Sequence, residues 1–171
     1  MRVLSLASLL ILAAAGCGGD DDAADEEIIR LDDASEEVVL TLEDLVNRGE
    51  VTVDDEIAAR LTAPADGDEL SSDGPPTFTW TTRQEAGSNT ARHGLTTGDF
   101  VWLRIDGPGM DAPIDVVSLE STSWEVDAEH WESLRGSTGA LEVQVTSAYV
   151  DRGNVEEVFQ PSSNPSFSVI E

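Results

Sequence analysis

Two histidines, one cysteine and 35 acidic residues are the side chains on which chemistry could rest in this sequence of 171 residues. A zinc site takes three or four ligands, usually with two close in sequence. His93 and His130 lie far apart, and neither has a second His or Cys beside it. His93, in the loop Arg83–Asp99, reads as a solvated loop residue. His130, between Glu129 and Trp131, reads as a surface residue on a helical turn. No Gly-x-Ser-x-Gly elbow occurs, and a Ser/His/Asp triad would have to form around one of these two histidines. All 9 basic residues are arginine. Without lysine, neither a P-loop nor a Schiff-base enzyme can be built. Carboxylates are so numerous that no single pair stands out as a glycosidase pair, which needs a fixed separation inside a cleft. Asp66, Asp68, Glu69 and Asp73 are the best arrangement for calcium, yet Asp-Gly-Asp-Glu is also the composition of a tight exposed turn, and the turn is the preferred reading. No catalytic residue, metal ligand or cofactor is therefore assigned. A calcium- or metal-assisted hydrolase with an unrecognised site is kept as the alternative.

The formal net charge of −26 and the isoelectric point near 4.1 repel phosphate backbones, so nucleic acid is not expected as a partner. An acid excess without lysine also resembles the surfaces of proteins from salty habitats. Screening of self-repulsion would then make the fold more stable as salt rises. Simple solubility of an exported protein accounts for the same charge.

The lone cysteine stands at a telling place. Met1-Arg2 is a minimal positive start, and Val3 to Ala15 is an unbroken run of apolar and small residues. That run is shorter than the ~20 residues of a spanning helix and suits a cleavable signal. Ala14-Ala15-Gly16-Cys17 resembles the lipobox of bacterial lipoproteins, with Ala14 where leucine is usual. The resemblance implies cleavage before Cys17 and lipidation of its thiol and new amine. Gly18, in place of the Asp that often retains such proteins at the inner membrane, points to the outer membrane. With its cysteine lipidated, the domain has no disulfide and must rest on its core. Residues 18–27, Gly-Gly followed mostly by acids, read as a disordered tether.

The elements that must position everything else follow. Asp33 or Ser35 can cap a helix, Glu36 and Glu37 favour its positive end, and Gly49 can stop it after Arg48. Val38, Val39, Leu42, Leu45 and Val46 form one apolar face at helical spacing, and a strand through Val38–Leu42 competes. From about residue 56 the period becomes two. Thr77–Thr81, Trp124–Asp127, Leu141–Thr146 and Phe167–Val169 alternate. Ile57–Ala63, Phe100–Asp106 and Ile114–Leu119 complete seven candidate strands separated by Gly, Pro and Asp turns.

The run Ala63-Pro64-Ala65-Asp66-Gly67, with Leu70 and Pro76-Thr77-Phe78-Thr79-Trp80, resembles the opening of bacterial fibronectin type III or Ig-like repeats. Pro165-Ser166-Phe167-Ser168-Val169 resembles their last strand. The likeness implies a mostly β fold: a seven-stranded antiparallel Ig/fibronectin III-like sandwich, here with one N-terminal helix. Asp127–Leu134 departs from it as a short helical turn before the sixth strand, with Trp131 and Leu134 packing inward. The expected organisation is a signal over residues 1–16, a lipidated Cys17 and tether over 17–27, a helical segment packing on the domain over 28–55, and a sandwich over 56–171.

Phe100 and Trp102 face away from Val101, Leu103 and Ile105 on their strand. They form a candidate binding face for a protein or glycan, or else the helix over residues 35–48 covers them; cover is the preferred reading, because large exposed apolar patches are rare. The expectation is a non-catalytic envelope module, joined to the membrane through lipid on Cys17, of unknown protein or glycan partner.

Overall fold

Alternating side chains along the strands face two different neighbours, and this alternation builds the molecule. The computed structural model describes residues 28–32, 34–82 and 98–170. Its elements run β1 (Ile28–Arg30), α1 (Glu36–Asn47), β2 (Thr52–Val53), β3 (Arg60–Ala63), β4 (Asp68–Ser71), β5 (Thr77–Thr81), β6 (Gly98–Asp106), β7 (Ile114–Ser118), β8 (Ser123–Glu125), α2 (Ala128–Arg135), β9 (Leu141–Asp151), β10 (Asn154–Gln160) and β11 (Ser166–Ile170).

A small antiparallel sheet has the order β3-β5-β8. The larger one runs β1-β7-β6-β9-β10-β2, and the start of β9 pairs with β11, which carries β4 on its far side. Between the sheets lies the main core. Phe78, Trp80 and Trp124 of the small sheet meet Val101, Leu103, Ile105, Val143, Val145 and Phe167 of the large one. Phe78 touches both Trp124 and Phe167, with ring centroids 5.5 Å apart in each pair. Each such large side chain contributes about 1.5–3 kcal/mol when fully buried. α2 closes one end with Trp131 and Leu134, as the sequence predicts.

The mostly β, sandwich-like class is as expected, but the strand list differs. Eleven strands are formed among the described residues instead of seven, and the large sheet is mixed. Its three parallel pairs are β1–β7, β2–β10 and β4–β11. All three add a short segment to an edge, where unpaired backbone groups invite pairing. β10 is the one substantial strand the pattern misses. It follows β9 through a tight turn with Arg152 and Gly153 both at positive φ.

α1 lies on the outer face of the large sheet. Its first turn carries Glu36 and Glu37, and it ends before Gly49, whose φ of 71° suits a helix terminator. Val38, Val39 and Leu42 are buried against Phe100, Trp102, Val117, Ala148, Val150 and Val158, forming a second core. The segment β1-α1-β2 thus runs along one sheet edge, crosses the outer face and rejoins the other edge. Among the described residues, no helix is long and apolar enough to cross a membrane.

Candidate functional site

Phe100 and Trp102 do not form an open aromatic face. They are 0% and 7% exposed, because the apolar stripe of α1 covers that half of the sheet. The reading of these two residues as a binding surface is therefore withdrawn, and the covering helix is the observed alternative.

The cover stops partway along the strands, and a polar strip begins there. Along β6 the outward residues are Phe100, Trp102, Arg104 and Asp106; along β9 they are Glu142, Gln144 and Thr146. Register sets them in rows. Val117, Trp102 and Thr146 stand side by side across β7, β6 and β9, and Asp115, Arg104 and Gln144 form the next row. Asp115 is only 2% exposed. Its carboxylate accepts from the Trp102 indole Nε1 at 2.7 Å and pairs with the Arg104 guanidinium at 3.3 Å. A buried carboxylate is tolerated when it is charge-paired and hydrogen-bonded. The result fixes the plane of Arg104, whose side chain remains 32% exposed.

Two adjoining hollows share Arg104 and Gln144. One, of about 300 Å³, lies between this row and the end of α1 at Glu43, Val46 and Asn47. The other, of about 340 Å³, continues past Asp106, Gly107, Pro108 and Glu142. Together they make a polar trough across the half of the sheet that α1 does not cover, among the described residues. The sequence reading singled out neither Arg104 nor Asp115. The available signal was a charged residue inside each of two apolar strands, on the same face as Trp102.

Elsewhere the acids serve local structure. Asp32 receives the backbone N–H groups of Leu119, Glu120 and Ser121 and the Ser118 hydroxyl, all within 3.2 Å. That carboxylate caps the turn between β7 and β8. Asp66 accepts from Ser166 N at 2.9 Å, Asp68 from Ala65 N at 2.7 Å, and Asp73 from the Ser71 hydroxyl at 2.8 Å. These three members of the calcium-like quartet hold turns and strand ends. No group of three His, Cys, Asp or Glu able to hold a metal ion occurs among the described residues.

Asp127 caps α2, accepting from Glu129 N and His130 N at 3.0 Å. The His130 backbone N–H, then the His130 ring and the Glu129 N–H, hold its carboxyl below the usual carboxylate range, against a smaller opposing effect of burial. The His130 ring also packs edge-on against Trp124, 6.0 Å between centroids, so it is fixed in a helix cap. Hydrogen bonds from Ser162 likewise lower Asp55. Cys17, the tether, Asp33 and His93 lie outside the described residues.

No protein-family model, no curated protein and no solved structure matches this chain.

Proposed function

We propose that this chain is a lipid-anchored envelope protein that presents a non-catalytic β-sandwich of the Ig or fibronectin type III kind close to the outer membrane. The observation that carries the anchor is Cys17. It is the sole cysteine, and it directly follows an apolar run that ends in small residues. More than one acyl chain there converts marginal membrane binding into stable attachment. The ten residues between Cys17 and Ile28 span at most about 35 Å when stretched. Gly18 after the cysteine favours outer-membrane delivery.

The strand order supports the subfamily. β3, β5 and β8 face β6, β9 and β11, as first, second and fifth strands face third, sixth and seventh in Ig-type sandwiches. β4, a few residues after β3, pairs in parallel with β11 in the opposite sheet. Among the described acids, Asp32, Asp66 and Asp127 hold turns, strand ends and a helix cap, and Asp115 pairs with Arg104.

The test is detergent cloud-point partition of the full chain expressed in a bacterial host. The native chain is expected in the detergent phase and Cys17→Ser in the aqueous phase. Retention of Cys17→Ser in the detergent phase would overturn the anchor.

A further inference from the structure

We infer that the trough on the half of the large sheet beyond α1 binds a neutral, hydroxyl-rich ligand, a short uncharged oligosaccharide segment. The inference rests on the reading of the domain as a non-catalytic interaction module and assigns that module its site and ligand class.

Shape comes first. The two adjoining hollows of about 340 and 300 Å³ fall at the size of small-ligand sites, and together they give an elongated channel rather than a closed pocket. A chain-like ligand lying across β6 and β9 fits it better than a compact one.

Charge then selects among ligand classes. Arg104 sits at the centre with its guanidinium compensated by the buried Asp115. Glu43, Asp106 and Glu142 stand around it along the two hollows. An anion meets these carboxylates, on a chain of net charge −26. A metal ion lacks its ligand set among the described residues. An uncharged ligand avoids both conflicts, and a basic peptide is the competing occupant that the test below includes.

Hydrogen-bonding chemistry completes the match. Gln144 and Asn47 line the hollow with amides that both donate and accept, beside the Arg104 guanidinium that Asp115 holds in place. The carboxylates of Glu43 and Glu142 can accept from hydroxyl groups, Glu142 also receiving the Asn164 amide at 2.6 Å, and buried Thr146 holds the Gln160 amide at 2.8 Å behind the wall. Sugar hydroxyls donate and accept in the same mixed fashion. The ordered floor of Trp102, Arg104 and Asp115 means that little side-chain freedom is lost on binding.

The test uses the full chain in detergent micelles, titrated calorimetrically against maltotriose, cellotriose, mannotriose, xylotriose and the N-acetylated chitin trimer, with a basic and an acidic peptide as comparisons. Binding of at least one neutral trimer is expected. Gln144→Ala and Asn47→Ala, both at solvent-accessible positions, should each weaken it about tenfold or more with an unchanged melting temperature. Equal affinity in both variants, no binding of any trimer, or binding of the basic peptide alone would overturn the inference. Recovered sugar is analysed by mass. Intact sugar accords with a binding module. Cleaved sugar, with binding still lost in the variants, would leave the site standing and remove the non-catalytic reading. Equal binding by Cys17→Ser separates the site from the anchor.

Discussion

The backbone N–H of Leu119 lies 3.0 and 2.9 Å from the two carboxylate oxygens of Asp32. The pair is 87 residues apart in sequence, so one side chain ties the chain just after β1 to the turn between β7 and β8. β1 adds its parallel pairing to β7 immediately before that point. On the proposed anchoring, a pull from the N-terminal side would enter the sandwich through the three-residue β1 and then through Asp32.

Removing the carboxylate leaves three backbone donors of that turn without their acceptor. Asp32→Ala is expected to cost roughly 1–3 kcal/mol. Hydrogen exchange should quicken at residues 118–121 and along β1, while the core strands β6 and β9 keep their protection. Uniform loss of protection, or no change at the turn, would contradict this local role.

Leu42 is fully buried between α1 and the sheet. Leu42→Ala should lower stability by about 2–5 kcal/mol through lost burial and a cavity. It should also make an indole accessible to acrylamide, and that added quenching should vanish in a Trp102→Phe background. Persistence of the quenching there would mean that the main core, with Trp80, Trp124 and Trp131, has opened instead.

Asp127 has a folded-state pKa held below its ordinary value by the His130 and Glu129 N–H groups. A carboxylate lowered on folding adds stability that is complete above its unfolded pKa and is lost as pH falls through the lower folded value. Its share of acid sensitivity therefore lies below about pH 4. Asp127→Ala should cost about 1 kcal/mol near neutral pH, as helix caps do. Asp127→Asn should keep most of that stability and flatten the fall of melting temperature below pH 4. An unaltered acid profile in Asp127→Asn would refute the assignment.

Much of this fold is legible in the sequence where burial is one-sided. Phe78 and Trp80 alternate with threonines because one face of β5 meets the core, and the 3.6-residue stripe of α1 names the face that covers Trp102. Where stability comes from an edge, the signal fades. β4 reads Asp-Glu-Leu-Ser and is formed through its pairing with β11. β1 is too short to show a period. β10 loses its alternation at a register shift between Val155 and Glu157, which moves Val158 onto the helix-facing side. The trough was hidden for another reason. Asp115 and Arg104 stand on consecutive strands, and only the register between β6 and β7 makes them partners.

The proposed envelope role depends on Cys17 being the mature first residue and carrying lipid. Mass spectrometry of the N-terminal peptide, from chain purified out of bacterial membranes, tests it most directly. The account predicts a peptide beginning at Cys17, heavier than its sequence by a diacylglyceryl group and an N-acyl chain, and absent from Cys17→Ser. A peptide starting elsewhere, or an unmodified Cys17 with a free thiol, would contradict it.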